Sequence, residues 1–168
     1  RELFRFHKVQ TDPHFGNYRI RLKHDGTSDQ LVLFDFGAGR DFPKNFTEPY
    51  FEMVRGTFYR DLNRLNRGAT ALGLLQEGDS DELRSVFHDL CYLFTETFHS
   101  EETYDWGASD LPKRVAKKGG EMILKFKLRG PPREIVFLDR KMAGVFVFLS
   151  TLKVRAQFRE TFRMYLGS

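Results

Sequence analysis

Two short polar clusters bracket a strand–turn–strand stretch, and that order constrains this chain more than any other feature. The first cluster is Thr11-Asp12-Pro13-His14-Phe15-Gly16-Asn17. The second ends an apolar run, Leu31-Val32-Leu33-Phe34-Asp35-Phe36-Gly37. Between them Tyr18, Ile20 and Leu22 alternate with Arg19 and Arg21, which predicts a strand. Asp25-Gly26 falls in a polar connection of hairpin type. Gln30 to Phe34 reads as the returning strand, apolar enough to be covered on both faces. Pro13 pushes Asp12 out of the α region, and Gly37 lets the backbone turn tightly behind Asp35. Taken singly, Asp12, Asn17 and Asp35 are ordinary loop residues. The agreement of their order with the hairpin and with the apolar lead-in to Asp35 makes them a candidate site.

The arrangement resembles the catalytic and metal-binding loops of the protein-kinase-like fold. On that resemblance Asp12 sits beside the acceptor oxygen, which it orients or deprotonates. Asn17 and Asp35 each supply a hard oxygen to Mg2+, and the three together hold the ATP–magnesium cofactor. His14 stands two residues after Asp12, where many protein kinases carry a lysine near the transferred phosphate. It either contacts phosphate when protonated or buttresses the loop.

A closer resemblance runs through Gln10-Thr11-Asp12-Pro13-His14-Phe15-Gly16-Asn17-Tyr18 and Leu33-Phe34-Asp35-Phe36-Gly37-Ala38-Gly39-Arg40. It continues in Tyr59-Arg60-Asp61, Tyr104-Asp105-Trp106-Gly107 and Arg140-Lys141-Met142-Ala143-Gly144. In these segments the chain resembles the UbiB-like atypical kinases, proteins associated with ubiquinone biosynthesis. The resemblance implies an α+β, mainly α fold: the C-terminal lobe of a kinase-like protein, with a small β-hairpin at the catalytic site packed on a helical bundle. It implies ATP and Mg2+ as cofactors, and an atypical kinase or ATPase supporting ubiquinone or other isoprenoid-lipid biosynthesis.

Two other functions remain open at this point. A small-molecule phosphotransferase of the aminoglycoside or choline kinase type shares Asp-x-His-x-x-Asn, but follows it with an Asp-rich metal motif rather than Asp-Phe-Gly-Ala. A non-catalytic nucleotide- or lipid-binding regulatory scaffold is the other. The first residues, from Arg1, read as the last turns of a helix. The lobe that carries the phosphate-covering loop, a phosphate-binding lysine and its glutamate partner is expected elsewhere in a longer protein. So are the family's alanine-rich nucleotide loop and Lys-x-Gly-Gln motif. Residues 1–168 are expected to form a single domain, inactive by itself, with that N-terminal lobe as its partner.

Charge is uneven. Residues 1–110 hold 13 Lys/Arg against 19 Asp/Glu, and residues 111–168 hold 14 against 4. The basic C-terminal third either faces an anionic or isoprenoid lipid, or consists of solvated helix faces whose partners lie on the acidic part. Lipid-biosynthesis proteins are further expected partners, and nucleic acid is not, because no aromatic-interleaved basic motif is present. No stretch reaches the ~18 apolar residues of a membrane span. The expected location is the cytoplasm, peripheral at a membrane, with the mitochondrial matrix as the alternative. The single cysteine, Cys91, reads as an inert thiol on an amphipathic helix.

About half a dozen residues separate Asp35-Phe36-Gly37 from the next helix, too few for a peptide-docking segment, which favours a small acceptor or water. That helix is expected from Asn45 or Thr47 to Leu62, packing Phe51, Val54, Phe58 and Leu62 under the catalytic loops. A shorter helix follows over Asn63 to Leu75, ending near Gly73. Asp79-Ser80-Asp81-Glu82 opens a helix with Leu83, Val86, Phe87, Leu90, Phe94 and Phe98 on one stripe. Glu101 to Gly107 reads as a polar connection. Ser109 caps a basic helix from Asp110 that Gly119-Gly120 weakens. After Gly130-Pro131-Pro132 comes an apolar helix, Glu134 to Leu152, in which Arg140 and Lys141 are interior charges. They either reach an acidic group such as a catalytic-loop neighbour or lie on the wet face, and a structural role is favoured. A last helix carries Phe158, Phe162 and Tyr165.

Overall fold

The computed structural model describes residues 1–23, 29–126 and 130–167, so the Asp25-Gly26 connection lies outside the described residues. Among the described residues, six α-helices form a base on which short antiparallel strand pairs sit. The helices are α1 (Lys44–Tyr59), α2 (Leu62–Ala71), α3 (Asp81–Phe94), α4 (Leu111–Phe126), α5 (Arg133–Thr151) and α6 (Arg159–Leu166). The pairs are β1 (Lys8–Gln10) with β4 (Gly39–Asp41), β2 (Tyr18–Arg21) with β3 (Gln30–Leu33), and β5 (Tyr104–Asp105) with β6 (Arg155–Ala156). The fold is the mainly helical, kinase-like lobe that the motifs imply.

The chain does not begin as a helix running to Val9. A single wide turn, Glu2–Phe6, ends at His7 in the left-handed region (φ 50°). Lys8 then starts β1, whose Val9 and Gln10 are buried. Three-residue strands are too short to leave an alternating pattern, so β1 and β4 were invisible to periodicity. The link from Gly37 to α1 is short, as expected, and β4 is built from it.

Of the expected stripe Phe51, Val54, Phe58 and Leu62, Phe58 is buried and Phe51 and Val54 are half-buried, but helix α1 buries other positions as well. Phe46, Met53, Gly56, Thr57 and Phe58 are buried, whereas Leu62 is 46% exposed and already belongs to α2. Two glycines widen the buried face. A Cβ on Gly56 would lie 2.2 Å from the Leu65 nitrogen, and one on Gly68 would lie 2.5 Å from the Met53 nitrogen. The backbones of α1 and α2 therefore touch, and the chain must fold back at Arg60 (φ 59°). Asp61 caps α2 by accepting from the Arg64 N–H (3.0 Å), and Gly73 (φ 71°) follows its end. Ser80 caps α3 by accepting from the Leu83 N–H (3.2 Å).

The main core joins α1, α2, α3 and α5 through Phe46, Met53, Leu65, Ala69, Leu83, Phe87, Ile135 and Leu138. Cys91 packs against it, and burial pushes its thiol up to about 12, so it stays protonated. A second core surrounds Trp106, Leu111 and Phe146. The segment from Glu101 to Gly107 is thus more than a polar connection. It forms β5 and carries Trp106, only 1% exposed. Helix α4 runs unbroken through Gly119-Gly120, with the Ser109 hydroxyl accepting from the Leu111 N–H at its start (3.1 Å).

The returning strand is not covered on both faces. Ile20 pairs with Leu31 and Tyr18 with Leu33, and Leu22 and Leu31 are 75% and 66% exposed. The hairpin rests on the base at one end, where Tyr18 meets Phe148 edge-on. Its far end has no element against its apolar face among the described residues. None of the described helices is long and apolar enough to cross a membrane.

Candidate functional site

Asp12, His14, Asn17 and Asp35 come together at the near end of the β2–β3 hairpin. After β1 the chain turns at Pro13 and forms one short 3-10 turn, Phe15–Asn17. His14 opens that turn: its Nδ1 accepts from the Gly16 N–H (3.0 Å). One ring nitrogen thus engages the loop's own backbone, as the buttressing reading expects. Asn17 closes the turn and donates from Nδ2 to the Asp12 carbonyl (3.3 Å) and to Asp12 Oδ2 (3.2 Å). Its backbone carbonyl accepts from the Phe34 N–H (3.0 Å). The pairing thus continues one step past the strands and sets Asn17 across from the residue before Asp35.

Asp35 accepts from the Gly37 N–H with Oδ1 (2.7 Å), which folds the backbone back toward β4. Its second oxygen has no partner among the described residues. The Asn17 Oδ1 is equally free, because its amide nitrogen is turned to Asp12. Both are hard oxygens, a donor type that suits Mg2+ with water completing its shell. No group of three or more His, Cys, Asp or Glu gathers as a metal cluster among the described residues. His88 instead meets Asn66 (2.7 Å) and His99 meets Thr95 (2.9 Å).

Two residues without an assigned role in the sequence reading hold the loops together. Gln10, 5% exposed, accepts from the Asp12 N–H at Oε1 (2.9 Å) and donates from Nε2 to the Asp35 carbonyl. One buried amide therefore bridges both clusters. Thr11 donates its hydroxyl to the Ala38 carbonyl (2.9 Å) and its N–H to the same oxygen (3.1 Å). A buried glutamine and threonine beside a turn carry no periodic signal. Only their place inside the Gln10–Tyr18 motif marked them.

Helix α5 is the floor of the site. Arg140, Gly144 and Phe148 lie four residues apart and so share one face. Arg140 Nη2 donates to Asp12 Oδ1 (2.8 Å). Gly144 is where Pro13 rests: a Cβ there would sit 2.1 Å from Pro13 Cγ. Phe148 stacks on Phe15 at 3.9 Å between centroids. Lys141 reaches Glu2 (3.7 Å) and the Tyr18 hydroxyl (3.3 Å), and Arg40 of β4 lies over the Phe137 ring (3.8 Å). The interior charges of α5 thus meet the catalytic-loop region.

The same holds for much of the basic C-terminal third. Arg114 pairs with Glu96 (2.6 Å), Lys118 with Asp89 (3.0 Å), Arg155 with Asp105 (3.2 Å) and Arg159 with Glu101 (3.8 Å). Each carboxylate lies in the acidic part of the sequence. The Arg114 hydrogen bonds hold the Glu96 carboxyl below its usual range.

Residues 1–68, which contain all four site residues, match the ABC1 atypical kinase-like domain. The chain is 31% identical over all of its length to "Atypical kinase COQ8B, mitochondrial" of Rattus norvegicus, covering 32% of that protein. It is 32% identical over 96% of its length to the protein of the same name in Danio rerio, covering 25% of it. It is 25% identical over 96% of its length to "Atypical kinase COQ8, mitochondrial" of Schizosaccharomyces pombe, covering 26% of it. The chain therefore spans a third or less of the length of these relatives.

Proposed function

We propose that this chain, whose residues 1–68 match the ABC1 atypical kinase-like domain and which is similar to COQ8 atypical kinases over nearly its whole length, is the catalytic-loop lobe of an ATP- and Mg2+-dependent atypical kinase or ATPase. One observation supports this most: Asn17 is tied to Asp12 by its amide and to Phe34 by its carbonyl. That double link supports the reading because it keeps the Asn17 amide beside the Asp12 carboxylate and across from the residue before Asp35.

Bound Mg2+ would neutralise charge on the phosphates and fix their orientation. The chain's own residues do the rest. Asn17 Oδ1 and the free Asp35 oxygen hold the metal. Asp12 orients the acceptor hydroxyl or water. His14 shapes the turn, and Gln10 keeps the two loops at a fixed separation. The short link before α1 offers no peptide-docking platform, so the acceptor is a small molecule or water.

The relatives named as mitochondrial support a mitochondrial working compartment for this chain as well. Ubiquinone or another isoprenoid lipid is the biosynthetic context, with anionic lipid a candidate activator through Lys113 of α4 and Arg133 of α5, which have no carboxylate partner among the described residues. The 168 residues alone should turn over ATP poorly, since the site is open to water and lacks a second wall for the phosphates.

The test is Mg2+-dependent ATP hydrolysis by the full-length parent and its Asp35→Asn variant, with and without vesicles carrying anionic lipid. Activity that Asp35→Asn abolishes supports a metal-dependent phosphoryl-transfer site. Nucleotide binding without hydrolysis in either arm moves the assignment to a regulatory scaffold. Turnover that survives Asp35→Asn overturns the proposal.

A further inference from the structure

We propose that Arg140 of α5 is a positioning residue for Asp12, supplying from 128 positions downstream the cation that the catalytic loop itself lacks. The inference rests on the phosphoryl-transfer reading of the site.

The loop from Asp12 to Asn17 contains no Lys or Arg. His14, the one loop residue able to carry a positive charge, has its Nδ1 occupied as an acceptor for the Gly16 N–H. Arg19, the next cation along the chain, is bound to the Gly16 and Tyr18 carbonyls (3.2 and 2.9 Å). The guanidinium at Asp12 therefore comes from another element altogether. It engages Oδ1 while Asn17 engages Oδ2. With one donor on each oxygen, the plane of the Asp12 carboxylate is fixed from both sides.

This contact is not what holds the loop backbone in place. Pro13 seated on Gly144 and Phe15 stacked on Phe148 already do that. Nor is the ion pair an anchor of the fold. The Arg140 side chain is 63% exposed and that of Asp12 37%, and ion pairs so open to water contribute little stability. A charge-assisted bond that is dispensable to the backbone but aimed at one carboxylate oxygen acts on orientation. Orientation is where phosphoryl-transfer sites gain most of their rate. The planar fork of Arg140 makes it a better fixed support than a lysine would be.

The experiment uses the full-length protein with Arg140→Ala, Arg140→Lys, Asp12→Asn and the double variant Arg140→Ala/Asp12→Asn. It measures kcat, nucleotide affinity and thermal unfolding. Arg140→Ala should lower kcat by roughly 10- to 100-fold with nucleotide affinity nearly unchanged. Arg140→Lys, or millimolar guanidinium added to Arg140→Ala, should restore part of it. In the Asp12→Asn background Arg140→Ala should have no further effect, because it acts through that carboxylate. An unchanged kcat in Arg140→Ala overturns the inference. So does a loss that neither lysine nor guanidinium relieves, or one that adds to the Asp12→Asn loss. If Asp35→Asn keeps full Mg2+-dependent turnover, the functional reading has failed first, and these outcomes are then not read as evidence on Arg140.

Discussion

Two short antiparallel pairs sit at different places on the molecule, and their apolar side chains fare in opposite ways. β5–β6 leads directly into Trp106, which lies sealed among Phe146, Leu111, Tyr104 and Val115. β2–β3 carries Ile20, Leu22 and Leu31 on one face, and water reaches all three. The first pair is a clasp on the core. The second is a shelf for the site, held at its near end by polar bonds to the catalytic loop and by Tyr18 on Phe148. Stability is concentrated in the helical base, whereas site geometry is set by a few hydrogen bonds and by α5. The two should therefore separate under mutation.

The largest effect belongs to the clasp. Trp106→Ala should cost about 4 kcal/mol, the range for emptying a sealed aromatic site. Its Nε1 has no hydrogen-bond partner among the described residues, so Trp106→Phe loses no described bond and should cost less than half as much. Denaturant unfolding of both variants checks this. Equal losses would mean that the indole nitrogen is satisfied in solution.

That residue also shows what the sequence could and could not reveal. The Asp12–Asn17 and Asp35–Gly37 clusters were legible because chemistry fixes their residue types, and they could be read without any periodicity. Helices α2 to α5 were legible from capping residues and apolar stripes. Trp106 was not, because a lone aromatic in a polar stretch has no pattern to join. Its burial depends on α5 and β6, more than 35 residues away. The stripe on α1 was read only in part for a related reason: Gly56 and Gly68 widen the buried face through close contact with α2, and spacing alone does not report which side a partner approaches. Arg140 stood out as a charge in an oily helix and as part of the Arg140–Gly144 segment, with a catalytic-loop acid as one of two readings, and the structure identifies that acid as Asp12.

Gln10 should be the second largest effect and the first to bear on the site. Gln10→Leu removes the partners of the Asp12 N–H and the Asp35 carbonyl in a buried position, which should cost about 2 kcal/mol. In the full-length protein it should also weaken Mg2+-nucleotide binding, since the two loops lose their common bridge. Retained affinity with lowered stability would show that Thr11 and the β1–β4 pair hold the loops unaided.

His99 tests the edge of the base. Burial, with Arg60 and Arg159 nearby, pushes its imidazole down to about 4, and Glu96 only partly opposes this. It also stacks on Phe58. A folded-state value below the unfolded one means that the unfolded chain takes up a proton that the folded chain refuses. The contribution is complete above about pH 6.5 and declines as pH falls toward 4. Because the ring is only half-buried, the loss should be on the order of 1 kcal/mol between pH 7 and 5. Unfolding of His99→Gln across that range should be flatter than that of the unaltered chain by this amount, and parallel curves would place the acid sensitivity elsewhere.

The smallest effect is expected on the shelf, where the comparison is sharpest. Ile20 and Leu31 are directly paired and mostly exposed, so the double change Ile20→Thr/Leu31→Thr removes little buried area. Threonine is β-branched, as Ile20 already is, and suits a strand at both positions. The midpoint of denaturant unfolding for these 168 residues should move by less than about 0.5 kcal/mol in stability. The contrast with Trp106→Ala would then be roughly eightfold for side chains that hydropathy alone ranks together. A loss of 2 kcal/mol or more would mean that this face is covered in solution, and the hairpin would join the core rather than stand above it.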